Sequence, residues 1–149
     1  MSYAQKKFWG TLILCACFMS NPLIVKAIAD ESVVMKHDRQ NQAAEDWLEL
    51  VEKGQYKGSW DSAGANLKAR LTADEWKNKI AAVRDGLGGR LTRGLETREE
   101  AAVIPSWPKG KYVILTFLSS FENKQHAVET LTLAQDSDGT WRVLAYSIK

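Results

Sequence analysis

Apolar positions along the chain change period once, near Arg90. Before it they fall three and four apart. Ala44, Trp47, Leu48 and Val51, with Gly54 behind them, predict a first helix. Tyr56, Trp60, Ala63, Gly64 and Leu67 predict a second. A third opens at Thr72-Ala73-Asp74-Glu75, where Thr72 and Glu75 can satisfy each other's free amides. Its stripe is Trp76, Ile80, Val83 and Leu87, and Gly86, Gly88 and Gly89 end it. Val33 to Gln42 is polar and reads as a frayed approach to the first helix.

After Arg90 the period is two. Leu91 to Val103 reads as a long, ragged strand, and Ile104 to Gly110 as a loop containing Pro105-Ser106-Trp107-Pro108. Lys111–Phe121, His126–Gln135 and Thr140–Lys149 read as three further strands, joined by turns at 122–125 and 136–139. Three helices followed by a four-stranded antiparallel meander predict an α+β fold. With turn centres at Asn123-Lys124 and Asp138-Gly139, the helix-facing side holds Ile114, Thr116, Leu118, Glu129, Leu131, Leu133, Arg142, Leu144, Tyr146 and Ile148. The other side then holds Val113, Leu115, Phe117, Val128, Thr130, Thr132, Trp141, Val143 and Ala145. That second face is apolar enough to suggest a homodimer, with Phe117 and Trp141 as anchors.

Met1 to Ala29 contains three lysines, no acid and an apolar run, and ends in Ala27-Ile28-Ala29. This is the pattern of a secretory leader cleaved before Asp30. The alternative is a lipid anchor at Cys17 within Leu14-Cys15-Ala16-Cys17. Ser20-Asn21-Pro22 interrupts the run, which argues against a retained membrane span. The organisation expected is therefore a leader over 1–29, a flexible segment over 30–42 and one α+β domain over 43–149. Without the leader, 17 basic residues face 18 acidic ones, a net charge of −1, and this balance excludes a nucleic-acid partner. Both cysteines leave with the leader, which excludes disulfides and thiolate chemistry. A periplasmic or secreted location fits.

Candidate chemistry is sparse. His37 and His126 are isolated, so no metal site is predicted, and nothing implies a cofactor. Asp136-Ser137-Asp138-Gly139 lacks the full ligand set of a calcium loop and reads as a hairpin turn. Glu129 stands out as an acid among Leu131, Leu133, Leu144 and Tyr146. It must be paired or line a pocket, and Arg142 and Tyr146 are the accompanying pocket candidates. Trp107, held between two prolines, either caps the core or contacts a partner.

Trp47-Leu48-x-Leu50-Val51-x-x-Gly54-Gln55-Tyr56 with Ser59-Trp60 resembles a bacterial family known as domain of unknown function four-zero-one-nine. Ser120-Phe121-Glu122-Asn123-Lys124, Glu129-Thr130-Leu131-Thr132-Leu133 and Asp138-Gly139-x-Trp141-Arg142-Val143-x-x-Tyr146-x-Ile148 continue the likeness, which covers Ala43 to Lys149. The resemblance implies small, often exported proteins with no assigned activity. By analogy it implies a cystatin-like or nuclear-transport-factor-like cone of helices and curved sheet. Two functions follow from the residues. One is a non-catalytic periplasmic module that binds a protein or a small apolar ligand. The other is a small hydrolase- or isomerase-like enzyme with Glu129 as general base in a cone-shaped pocket.

Overall fold

The structure, a computed structural model, describes the backbone of residues 22–149 and the side chains of residues 35–149. The leader reading for residues 1–21, with Cys15 and Cys17, lies outside the described residues. Four helices come first: α1 (Pro22–Glu52), α2 (Tyr56–Ser62), α3 (Ala65–Arg70) and α4 (Ala73–Arg84). The strands β1 (Arg90–Ala101), β2 (Tyr112–Phe121), β3 (Lys124–Gln135) and β4 (Trp141–Ile148) follow. They form one open antiparallel sheet in the order β1-β2-β3-β4, and the fold is α+β.

The helical half departs from the pattern reading twice. Residues 30–42, expected to fray, are helical, because no glycine or proline interrupts the chain between Pro22 and Gly54. The second helix is two. Ala63 and Gly64 are extended, with ψ of 159° and 164°, and the Gly64 N–H donates to the Val143 carbonyl at 2.8 Å. A Cβ at Gly64 would stand 2.3 Å from Leu144 Cδ2, so only glycine lets the chain touch β4 here. The capping box of α4 is formed, with Thr72 N–H donating to Glu75 Oε2 at 2.8 Å and Glu75 N–H to Thr72 Oγ1 at 3.3 Å. Behind α4, Gly88 has φ +73°, and a Cβ there would meet Glu122. The Glu122 carboxylate accepts from Gly89 N–H at 2.8 Å and so clips this turn to the β2–β3 turn.

All four strands lie where the two-residue period puts them, but β2 and the first half of β4 are turned over. β3 faces as expected, with Glu129, Leu131 and Leu133 inward, opposite Ile148, Tyr146 and Val143 of β4. A bulge between Ser119 and Phe121 shifts β2 by one residue, pairing Phe117 with Glu129 and Leu115 with Leu131. Val113, Leu115 and Phe117 therefore point into the core, and Ile114, Thr116 and Leu118 point away. A second bulge, between Thr132 and Leu133, does the same to the first half of β4. Trp141 and Val143 turn inward, and Leu144 leaves the helix-facing side. The face proposed for a dimer is thus largely the core itself.

That core joins Trp47, Leu48 and Val51 of α1 and Trp76 and Ile80 of α4 to Val113, Leu115, Phe117, Leu131, Leu133, Trp141 and Val143 of the sheet. Each such side chain contributes about 1.5–3 kcal/mol by leaving water. Among the described residues, the outer face of the sheet is half covered. The 102–111 loop lays Ile104 and Trp107 against Tyr112, Ala134 and Leu144. The uncovered half presents Leu118 (50% exposed) directly opposite Val128 (39%).

Candidate functional site

Glu129 sits inward on β3 with no exposed surface. Its Oε2 accepts from Arg93 Nε of β1 at 2.8 Å and from Ser119 Oγ of β2 at 2.6 Å, and its Oε1 accepts from Tyr146 OH of β4 at 2.7 Å. One carboxylate thus gathers a group from each of the other three strands. Arg93, with a side chain only 3% exposed, continues the network by donating from Nη2 to Glu52 of α1. Arg90 Nε also reaches Glu52, at 2.7 Å, and Glu45 lies 3.4 Å from Arg93 Nη1. The alternating chain of charges ties α1 to the sheet.

Burial pushes the Glu129 carboxyl up. The hydrogen bond and positive charge of Arg93, with the Ser119 and Tyr146 hydroxyls, outweigh this and hold it below the ordinary carboxylate value. Glu129 is therefore an anion without contact to water. Tyr146 moves the other way: burial first, then the charge and hydrogen bond of Glu129, raise its hydroxyl far above the usual phenol range.

Two indoles pack against the Tyr146 end of this network. Trp47 and Trp76 lie 5.5 Å apart at 46°, and Trp47 meets the Tyr146 ring edge-on at 5.5 Å. Both tryptophans hang on Ser59 of α2. Trp47 Nε1 donates to its carbonyl at 2.7 Å, and Trp76 Nε1 to its hydroxyl at 2.9 Å. Trp60 Nε1, nearer the surface, donates to the Leu71 carbonyl at 2.9 Å. A general base must reach the proton it removes. Glu129 has no exposed surface, and Arg93, Ser119 and Tyr146 occupy both its oxygens.

Of the residues singled out from sequence, Glu129 and Tyr146 are brought together, and Arg142 is not. Arg142 donates to Asp136 Oδ2 and Asp138 Oδ2 at the β3–β4 hairpin, 2.7 Å each, so those acids hold a guanidinium. That pairing, with the Thr140 N–H, holds the Asp138 carboxyl well below its usual range. Phe117 and Trp141, taken as surface anchors, are 3% and 8% exposed and belong to the core. Trp107 packs edge-on against Tyr112 at 5.7 Å beneath the Arg70 guanidinium, capping the outer-face cluster. His37 lies 3.7 Å from Glu100, and His126 is exposed beside the β2–β3 turn. Arg93, Ser119 and Glu52 are the partners that pattern reading missed. Their signal was faint: Arg93 alternates with Leu91 and Leu95 on an edge strand.

Open space lies at the periphery. A 360 Å³ pocket separates α3 from the 108–112 loop, and a 460 Å³ groove runs between α1 and the start of β4. No helix among the described residues is long and apolar enough to cross a membrane. No curated protein matches the chain. The family described as "Protein of unknown function (DUF4019)" matches residues 43–146, from the buried stripe of α1 to Tyr146 of the carboxylate network, and the chain belongs to that family.

Proposed function

We propose that this protein is an exported, non-catalytic interaction module of the periplasm, cut after Ala29 so that the mature α1 begins at Asp30. The observation that carries this reading is the fate of Glu129. The one fully buried acid among the described residues has both oxygens engaged by Arg93, Ser119 and Tyr146, and no part of it meets solvent. Tyr146, which donates to its Oε1, is itself packed edge-on by Trp47, which in turn packs against Trp76. What the molecule offers to others is its surface: half-covered sheet, strand edges and shallow grooves.

The test is made in the cell envelope. The whole chain is expressed with a photo-crosslinking residue at position 79 or 118, and fractions are analysed by mass spectrometry. Mature protein starting at Asp30 in the periplasm, with discrete adducts, is expected. Retention in the cytosol, an acylated Cys17 terminus, or absence of adducts from every surface position would overturn the proposal. A second reading, a homodimer, is favoured by the exposed Leu118–Val128 pair on the outer face. Sedimentation equilibrium of the wild type and Leu118→Glu decides it: a dimer mass lost in the variant supports it, and a wild-type monomer excludes it.

A further inference from the structure

The two edges of the sheet differ. β1 is broken by two register shifts and carries Arg90, Arg93, Glu96, Arg98, Glu99 and Glu100, which are devices that blunt an edge. β4 is regular from Ala145 to Ile148. Val128 and Lys149 exchange both backbone hydrogen bonds, 3.0 Å each. In an antiparallel ladder the next residues alternate, so Ser147 and Ala145 turn their N–H and C=O toward β3. Tyr146 and Ile148 turn theirs outward. On that outward side the Val143 carbonyl is taken by Gly64, where the chain crosses toward α3. Beyond that crossing, the outward groups of Tyr146 and Ile148 have no backbone partner from another element among the described residues.

Beside this free stretch a 280 Å³ groove opens between β4 and the α3–α4 segment. Leu67, Leu71, Trp76 and Leu144 line it, and Arg70 and Lys79 stand at its rim. Neither cation is in an ion pair among the described residues. Arg84, further along α4, stacks over Phe121 at 4.8 Å, and its buried Nη1 lacks a hydrogen-bond partner. Phe121 belongs to the cluster against which Ile148 packs, so this third cation stands toward the far end of the same edge.

We propose that the Ala145–Ile148 edge of β4 docks an extended acidic segment of a partner protein, which adds as a fifth strand. Main-chain hydrogen bonds to Tyr146 and Ile148 supply the pairing, an apolar side chain enters the 280 Å³ groove, and carboxylates meet Arg70, Lys79 and Arg84. A second copy of this chain fits poorly, because β4 facing β4 across a two-fold axis would oppose like-charged rims. The inference rests on the interaction reading above and names its site and partner class.

The probe is an end-blocked peptide of alternating glutamate and valine, titrated into uniformly ¹⁵N-labelled protein purified from cells expressing the whole chain. Saturable shifts of the Tyr146 and Ile148 amide signals are expected, with their hydrogen exchange slowed about tenfold or more as the amides become paired. Lys79→Glu should weaken binding by about threefold or more, with a steep loss in high salt. The same peptide N-methylated at every residue, with neither edge able to donate, should not bind. Equal binding of the methylated peptide, shifts confined to the outer face around Leu118 and Val128, or no shifts at about 2 mM peptide would each overturn the edge site. None of these touches the interaction reading, which stands or falls on envelope adducts.

Discussion

Arg93 and Glu129 are paired across an intervening strand. Arg93 Nε of β1 reaches over β2 to Glu129 Oε2 of β3 at 2.8 Å, and Ser119 of β2 donates to the same oxygen. The pair closes the sheet's inner face against α1, because Glu52 holds the other end of the guanidinium. Removing one partner leaves a buried charge uncompensated. Arg93→Met should therefore cost about 3–5 kcal/mol in urea denaturation, and Arg93→Met with Glu129→Leu should recover most of it. A single-variant loss below about 1 kcal/mol would mean that water reaches Glu129.

The two titrating members set opposite limits. Glu129 has a folded value below its unfolded one of about 4.3, so its contribution is present above that pH and lost as pH falls through the folded value. Tyr146 has a folded value above its unfolded one of about 10. Its contribution is present below that pH and lost as pH rises toward the folded value. Stability measured against pH should show a shallower acid limb in Glu129→Gln and a shallower alkaline limb in Tyr146→Phe. Limbs parallel to the wild type would refute the assignment.

Adjacent residues on β2 test the bulge. Phe117→Glu places a carboxylate in the core and should cost about 4 kcal/mol or more, whereas Leu118→Glu should stay within about 1 kcal/mol. Trp141→Ala, now an inward residue beyond the second bulge, should cost about 3 kcal/mol. Equal tolerance at 117 and 118 would restore the unbulged register.

Gln40 is fully buried on α1, and neither its Oε1 nor its Nε2 has a hydrogen-bond partner. An apolar side chain of similar length should be better there. Gln40→Met is expected to raise stability by about 1–2 kcal/mol, read as a higher urea midpoint with an unchanged slope. A lower midpoint would show that the amide is satisfied in solution.

Periodicity located the helix-to-sheet switch, all four strands and the α4 capping box, because each is a local consequence of side-chain spacing. What it missed depends on single residues acting at a distance. The bulges next to Phe121 and Leu133 leave no mark in an alternation that is apolar on both faces, so Phe117 and Trp141 were assigned to the surface. Arg93 lies 36 residues from Glu129 and meets it only once β1 has paired with β2. Arg142, a pocket candidate beside Glu129 by sequence, is held instead by the hairpin acids Asp136 and Asp138. Glu129 itself was legible as an acid in apolar company that must be paired or line a pocket, whereas the partners that hold it, on β1 and β2, were not.

The Ser59 anchorage of two indoles gives the protein an optical signature of its own. Trp47 and Trp76 are held 5.5 Å apart and tilted by 46°, close enough for their excited states to mix. Two chromophores in that skewed arrangement should give a signed pair of circular-dichroism bands, lost once the rings move apart or turn. Tyr146, edge-on to Trp47, feeds the same pair by energy transfer and belongs to the strand whose outer edge is free. The molecule therefore reports, without any attached dye, both the melting of its interior and any disturbance of the strand beside it.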